Sequence, residues 1–319
     1  PNDDLDLQVL WACVLDGMRA PVIDRDVFAD AWLKHVDFPW DEYGVAIHNL
    51  RRGISPPYSG SFDNWFKDGL GAAIRSEIWA CLAPGNPALA AQYAYEDACV
   101  DHVGDGIYAA QFLAALESAA FEESDMDALL DAGLSVIPPD SRLAKGITDT
   151  RTWCAAQSDW LAIRRKILDK WGNESFTDVV MNLSFAVMAL LLGRGDFSKT
   201  ICLAANCGRD VDCTTATVGA ILGIIDHSRI EDHWLSPIGR ELILNEGING
   251  IQPPTTLDLF TDMIVDLRGR VSLRPNKPDV TVDLTPFAIQ AECGAFGPWF
   301  AQDDERFSPV LPPNTEIRR

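Results

Sequence analysis

The sequence predicts an all-α fold, one domain built of many short helices. Apolar residues recur at the spacing of a helix face from the beginning of the chain to about residue 270, as in helices that bury one side. Short segments rich in Gly, Pro and Asp separate these runs, and alternation at strand spacing is almost absent there. We therefore expect one all-α domain over residues 1–274.

Eleven segments carry the helical pattern. In the first of them, Leu5, Val9, Ala12 and Cys13 would form one apolar face. Another begins at Asn86-Pro87, where a capping residue is followed by proline at the first helical position. The predicted helices cover residues 5–16, 27–36, 71–82, 87–100, 107–121, 126–132, 160–171, 179–192, 197–207, 213–225 and 257–267.

The end of the chain has a different pattern. Residues 279–285 alternate at strand spacing and are rich in β-branched side chains. Glycines and a proline-rich tail follow them. We expect residues 275–319 to form a short C-terminal extension, either the beginning of a β-type domain or a packed tail.

Composition excludes several classes of partner. The chain of 319 residues is 47% hydrophobic and has a net charge of −21, which disfavours nucleic acid because that binding depends on neutralising phosphates. No apolar run reaches the roughly 18 residues that a membrane span needs. The eight cysteines form no C-x-x-C pair, and most lie in apolar, helix-like runs. This favours reduced, buried thiols in a cytoplasmic protein. Since the chain begins at Pro1 without a methionine, we expect further residues to precede it.

Two carboxylates, Asp210 and Asp212, lie one residue apart directly before a helix of small and apolar residues. Residues two apart do not share a helix face, so both acids can aim at one point only if the chain is still turning there. Asp212 fits the N-cap position of the helix. Two fixed carboxylates at a helix N-terminus indicate a site for a hard cation; the alternative is a turn followed by a simple cap.

A second acidic pair, Asp3 and Asp4, precedes the first predicted helix. Taken alone, the pair is explained by Asp4 as an N-cap residue. However, both pairs have the same arrangement, a turn with two acids that leads into a helix N-terminus. The helix dipole helps to keep such carboxylates ionised, as a cation ligand must be.

Four segments together resemble the ADP-ribosylglycohydrolases, metal-dependent enzymes that remove ADP-ribose from modified proteins. The family signature Gly-Gly-Asp-Thr-Asp-Thr is similar to Gly-Arg-Asp-Val-Asp-Cys at residues 208–213, and its Thr-Asp-Asp-Thr is similar to Asn-Asp-Asp-Leu at residues 2–5. Its Gly-Asn-Gly-Ala-Ala-Met-Arg resembles Gly-Leu-Gly-Ala-Ala-Ile-Arg at residues 69–75, and its Thr-His segment resembles residues 101–107. The four segments follow one another in the family's order, and the resemblance covers about residues 1–270.

The resemblance implies an all-α fold, a compact orthogonal multi-helix domain of the ADP-ribosylglycohydrolase type. It also implies an enzyme that hydrolyses an N- or O-glycosidic bond to ADP-ribose. It implies two Mg²⁺ ions, with Mn²⁺ as an alternative, between the two acidic turns. Such ions would orient the ribose hydroxyls and activate water, and a carboxylate would accept the proton of that water, while the sugar passes through an oxocarbenium-like state. The implied metal ligands are Asn2, Asp3, Asp4, Asp210, Asp212 and Cys213. The implied catalytic residues are Asp3, Asp4 and Asp210. The implied substrate contacts are Gly69, Gly71, His102 and Gly104.

Several positions depart from the family pattern. Cys213 stands where the family has Thr. Because sulfur is a poor ligand for Mg²⁺, either that coordination bond is missing or Thr214 replaces it through a local shift. Leu70 stands where the family has Asn, which removes a polar substrate contact. An acidic residue that the family carries upstream of its Asp-Asp turn has no counterpart in the sequence. The alternatives are therefore a hydrolase of another ribosyl or nucleoside-like substrate, or a non-catalytic ADP-ribose-binding or structural homologue.

Other charged residues have ordinary explanations. Glu96, Asp97 and Asp101 fit a solvated helix face, and Glu77 is a plausible salt-bridge partner for Arg75. His102 is explained equally well as a structural histidine that forms hydrogen bonds in the core.

Overall fold

The computed structural model describes residues 2–38 and 40–274, and fifteen α-helices lie in these ranges. The helices are α1 (Asp3–Asp16), α2 (Arg25–His35), α3 (Asp41–Arg51), α4 (Tyr58–Ser61), α5 (Glu77–Leu82), α6 (Pro87–Ala98), α7 (Asp105–Ala120), α8 (Met126–Leu134), α9 (Arg142–Ala156), α10 (Trp160–Trp171), α11 (Val179–Gly193), α12 (Phe197–Cys207), α13 (Val211–Asp226), α14 (Asp232–Leu235) and α15 (Leu257–Arg268). Short 3₁₀ turns span Ala73–Arg75 and His227–Arg229. The prediction of an all-α fold is confirmed.

Two strands of two residues each complete the described part of the chain. Strand β1 (Val22–Ile23) pairs in parallel with β2 (Ser272–Leu273), and the pairing joins the segment after α1 to the segment after α15. The predicted β-type extension over residues 275–319 lies outside the described residues. The domain boundary at residue 274 therefore stays a prediction.

Helix α7 lies between two core clusters. One cluster combines buried side chains of α1, α2, α3, α5 and α6, and the other combines those of α8, α9, α11 and α13. Ala110 and Ala114 of α7 belong to the first cluster, whereas Phe112 and Leu116 belong to the second. In α11, every residue except Leu191 is buried, as expected of a helix that is apolar on all sides.

Capping residues begin many of the helices at the positions that the sequence indicates. The Asn86 side chain accepts a hydrogen bond from the Leu89 backbone N–H, and Pro87 occupies the first position of α6. At α11 the Asp178 carboxylate accepts from the Met181 N–H at 3.1 Å. Because these bonds satisfy N–H groups that have no partner within the helix, they fix where each helix begins.

The predicted helix over residues 71–82 is broken. It consists of the 3₁₀ turn Ala73–Arg75 and the short helix α5, with Ser76 between them. The Arg75 guanidinium turns back and donates to the Gly71 carbonyl at 2.6 Å, and glycine is unfavourable in a helix interior. The chain before Ala73 therefore forms a turn rather than a helix.

Four helices, α3, α4, α9 and α14, are absent from the sequence-based prediction, and α4 and α14 have only four residues each. In α3 the buried face includes the polar residues Glu42 and Asn49, so its apolar stripe is incomplete. In α9, Gly146 allows close contact with Val180 of α11, and Thr150 donates to the carbonyl four residues earlier. Glycine and threonine both have low helix propensity, which hides this helix from a propensity-based prediction.

Within residues 2–38 and 40–274, no helix is long and apolar enough to cross a membrane. The seven cysteines in these ranges are free thiols, and the prediction that they are buried is wrong for Cys202. Of these, Cys202 on α12 is exposed, and Cys99, Cys207 and Cys213 are buried.

Candidate active site

The two acidic turns lead into the N-termini of α1 and α13. Asn2 caps α1, because its side-chain oxygen accepts the Asp4 backbone N–H at 2.8 Å. Asp210 occupies the N-cap position of α13 and forms no side-chain capping bond. The assignments of Asp212 as the cap of α13 and of Asp4 as the cap of α1 are therefore wrong: both lie inside the first helical turn. Consequently, neither the Asp4 nor the Asp210 carboxylate is used for capping.

The structure brings these turns together although they are separated by more than 200 residues. The Asn2 amide lies 3.5 Å from Asp212 Oδ2, and Cys213 Sγ lies 3.8 Å from Asp4 Oδ2. One side-chain ligand atom each from Asp4, Asp212 and Cys213 lies within 4.8 Å of the others. The Tyr43 hydroxyl of α3 donates to Asp3 Oδ2 at 3.1 Å, which holds that carboxylate at the same place.

A cleft of about 190 Å³ opens at this junction. Trp40 and Phe176 lie at the cleft and are half exposed. A larger hollow of about 380 Å³ lies near α8, α11 and α13 and contains none of the predicted site residues. The residues that line the cleft are Asp3, Trp40, Asp41, Glu42, Tyr43, Leu70, Gly71, Ile74, Phe176, Thr177, Asp210, Asp212 and Cys213.

Burial and mutual repulsion make negative charge unfavourable in this cluster. Burial, together with the charges of Asp3 and Asp212, raises the pKa of Asp4 to about 8. Burial and the nearby Asp212 raise the pKa of Asp210 to about 6. In addition, Asp4 Oδ1 is buried and has no hydrogen-bond partner among the described residues. A bound cation would satisfy this oxygen and offset the repulsion, so the residues present fit a divalent cation.

Thr214 does not take the place of the family threonine. Its hydroxyl donates to the Asp210 carbonyl at 2.7 Å, and the side chain is buried within α13. The side chain that faces Asp4 is that of Cys213. The local shift considered from the sequence is therefore wrong, and the atom that faces Asp4 is a sulfur rather than a hydroxyl oxygen.

The family model for the ADP-ribosylglycohydrolases matches residues 1–265. The chain belongs to the ADP-ribosylglycohydrolase family. No curated protein matches the chain. Membership supports a glycohydrolase that acts on ADP-ribosyl-type substrates in a family that generally depends on divalent metal ions.

The cleft also contains a carboxylate that the sequence-based prediction missed. Glu42 of α3 is only 5% exposed, and its Oε1 accepts the Gly71 backbone N–H at 3.0 Å. A Cβ atom on Gly71 would lie 2.2 Å from Glu42 Oε1, and one on Gly69 would lie 3.1 Å from both carboxylate oxygens. The two glycines therefore leave the space that Glu42 occupies. Because α3 was not predicted from the sequence, the contact between Glu42 and this loop could not be predicted either.

His102 lies behind Glu42 rather than at the cleft surface. It is fully buried, with Nε2 at 3.4 Å from Glu42 Oε1 and Nδ1 at 2.9 Å from Asp101 Oδ1. Gly104 has a positive φ of 59° immediately before α7, and neither it nor Gly69 is among the residues that line the cleft. Of the four predicted substrate contacts, Gly71 alone borders the cleft within the described residues.

Arg75 completes a buried ionic chain that we define as Asp97, Arg75, Asp101, His102 and Glu42. The Arg75 guanidinium contacts Asp97 Oδ2 at 2.9 Å and Asp101 Oδ1 at 2.8 Å, and all three side chains are at most 1% exposed. Charges alternate along this chain if His102 is protonated. The ionic chain connects the core to the cleft and holds Glu42 in place.

The ionic chain overturns two predictions from the sequence. The solvated face expected for Glu96, Asp97 and Asp101 is wrong, since both aspartates are buried and Glu96 pairs with Arg25 at 2.9 Å. Glu77 is not the partner of Arg75; it accepts a hydrogen bond from Gln8 at 2.9 Å instead. Periodicity could not reveal these contacts, because it does not show which charged positions find a buried partner.

We predict that His102 stabilises the fold in a pH-dependent way. Burial alone would lower the pKa of His102, but the Asp101 and Glu42 carboxylates raise it to about 9. Since the folded-state pKa exceeds the unfolded value of about 6.5, the stabilisation is complete below about pH 6.5 and disappears as the pH rises through about 9. Its full size is about 3 kcal/mol, from roughly 1.4 kcal/mol per pKa unit.

Urea unfolding of the wild type and His102→Gln would measure this effect, because glutamine is neutral at every pH. The stability difference between them should shrink by about 2–3 kcal/mol between about pH 6 and pH 9.5. A difference that stays constant across this range would show that His102 is neutral in the fold.

Proposed function

We propose that this protein hydrolyses the N- or O-glycosidic bond between ADP-ribose and a carrier, with divalent cations held by Asp3, Asp4, Asp210 and Asp212. Mg²⁺ is the proposed ion, with Mn²⁺ as the alternative. The observation that carries the proposal is the convergence of the two acidic turns around Asp4 Oδ1, which is buried and has no partner in the described part of the chain. Family membership supports the substrate class.

The donor set suits hard cations. The four carboxylates supply oxygen atoms, which Mg²⁺ and Mn²⁺ prefer. The Asn2 side-chain oxygen already accepts the Asp4 N–H, and its second lone pair is available as a further ligand. When bound, the cations would supply a Lewis acid that orients ribose hydroxyls and makes water a stronger nucleophile.

The side chains around the cleft would perform the remaining tasks. Asp3 and Asp210 line the cleft, and their carboxylates would take the proton that the attacking water loses. Glu42 borders the same cleft and would accept hydrogen bonds from substrate hydroxyls. The rings of Trp40 and Phe176 would cover part of the bound substrate and reduce the access of bulk water to the reacting bond.

A second candidate function differs only in the substrate. Leu70, which stands where the family has Asn, lines the cleft and is 2% exposed. An apolar side chain there cannot form the polar contact that an amide would provide. This favours, as the alternative, hydrolysis of another ribosyl or nucleoside-like substrate. Comparing the release of ADP-ribose with the release of free base would separate the two candidates.

The proposal predicts a reaction that depends on divalent metal. Protein supplied with Mg²⁺ should release ADP-ribose from an ADP-ribosylated peptide, and EDTA should abolish the release until Mg²⁺ or Mn²⁺ is restored. Chromatographic detection of ADP-ribose would measure this. ADP-ribose binding without cleavage, with either metal, would instead support a non-catalytic homologue.

A further inference from the structure

We infer that Cys213 makes one cation position of this site selective for a thiophilic divalent ion of the Zn²⁺ and Co²⁺ class over Mg²⁺. The inference rests on the proposed function, because it assumes that the acidic turns hold cations. It concerns a property that the four carboxylates alone would not produce.

The geometry at Cys213 places sulfur among the carboxylates. Its Sγ, the Asp4 carboxylate and the Asp212 carboxylate each offer an atom, and these atoms lie within 4.8 Å of one another. The Cys213 side chain is buried, with Sγ at 3.8 Å from Asp4 Oδ2. Asp4 Oδ1 is buried without a hydrogen-bond partner among the described residues. This unpartnered oxygen indicates a missing ligand independently of the acidic cluster itself.

The preference of each ion for oxygen or sulfur ligands decides which ion binds beside Cys213. Mg²⁺ prefers oxygen and does not bind thiolate well, whereas Zn²⁺ and Co²⁺ accept mixed carboxylate and thiolate ligands. When the metal–sulfur bond forms, the S–H bond breaks and the proton leaves to solvent, so binding releases one proton and needs no oxidant. Thr214 does not supply an oxygen in place of this sulfur, because its hydroxyl donates to the Asp210 and Val211 carbonyls within α13 and the residue does not line the cleft.

Other cysteines in the described residues do not share this setting. The sulfur of Cys207 contacts the Leu203 carbonyl at 3.2 Å, and that of Cys13 contacts the Gln252 carbonyl at 3.9 Å. Cys202 is exposed on α12. A sulfur signal that depends on Cys213 would therefore report on the acidic cleft, and Cys202→Ser is a matched control.

The test is a titration of metal-free protein with Co²⁺, followed by absorption spectroscopy. The wild type and Cys202→Ser should show a thiolate-to-cobalt charge-transfer band in the near ultraviolet, and Cys213→Ser should lose it. Calorimetry should show that Cys213→Ser binds Zn²⁺ at least about tenfold more weakly, while its Mg²⁺ affinity is equal or higher. Cys213→Thr, which restores the family residue, should behave like the serine variant.

The two possible failures give different results. Wild-type protein that binds Mn²⁺ or Mg²⁺ in the cleft without the charge-transfer band, and with Zn²⁺ affinity unchanged by Cys213→Ser, would overturn the inference and leave the proposed function intact. Protein that binds none of these ions, with Asp4→Asn identical to the wild type, would overturn the metal-dependent function itself.

Discussion

Asp210→Asn should lower the rate of ADP-ribose release by at least about a hundredfold, the upper end of what the loss of groups supporting a metal site usually produces. The substitution removes a carboxylate that lines the cleft close to Asp212 and Cys213. An amide cannot accept a proton, and it binds a hard cation more weakly than a carboxylate does. Steady-state kinetics and metal-binding calorimetry on the same preparation would measure both consequences.

The loss should not result from unfolding. Asp210 forms no side-chain capping bond, and burial raises its pKa to about 6, so its charged form opposes folding at neutral pH. The neutral asparagine should therefore leave the Tm of metal-free protein unchanged or higher. Asp30→Asn, in an exposed pair with Lys34, is the matched control and should retain full activity. If Asp210→Asn kept wild-type activity and metal affinity, the proposed function would be lost.

Arg75→Met should lower the free energy of unfolding by about 3–5 kcal/mol, the range expected when one partner of a buried ion pair is removed. The substitution leaves Asp97 without a cationic partner in the core and Asp101 with His102 alone. Both carboxylates are at most 1% exposed. It also removes the bond from the guanidinium to the Gly71 carbonyl. Urea unfolding monitored by circular dichroism would measure the loss.

A combined variant tests whether uncompensated charge is the cause. Arg75→Met together with Asp97→Asn and Asp101→Asn should recover part of the lost stability, because no carboxylate at these two positions remains unpaired. If the triple variant recovered no stability relative to Arg75→Met, uncompensated charge would not be the cause. The loss would then come from contacts that both variants lack, such as packing against Trp32 and Tyr43, whose ring centroids lie within 6 Å of the guanidinium carbon.

Helices with a continuous apolar face could be predicted from the sequence, and those with polar buried faces could not. The helix over residues 179–192 was predicted nearly to its ends, because α11 is apolar on every side. Helix α3 was missed because Glu42 and Asn49 occupy its buried face, where Asn49 donates to two backbone carbonyls. Polar groups that are satisfied only by tertiary contacts leave no periodic signal in the sequence.

The same limit applies to the site. Asp3, Asp4, Asp210 and Asp212 could be proposed from local motifs, since each pair marks a helix N-terminus by itself. Glu42 could not, because its place depends on the turn at Gly71 and on His102, which lie 29 and 60 residues further along the chain. His102 could be named from the sequence, but its position behind Glu42 required the structure.

The junction of the two acidic turns also determines when the cleft can exist. Asp4 and Cys213 are 209 positions apart, and α1 is further held by bonds from Asn245 to Asp6 and from Arg270 to Asp16. During synthesis, most of the domain must therefore be made before the acids of α1 can contact the second acidic turn. Contacts of such long range tend to form late in folding. Nascent chains that end before α13 would carry one acidic turn and no cleft.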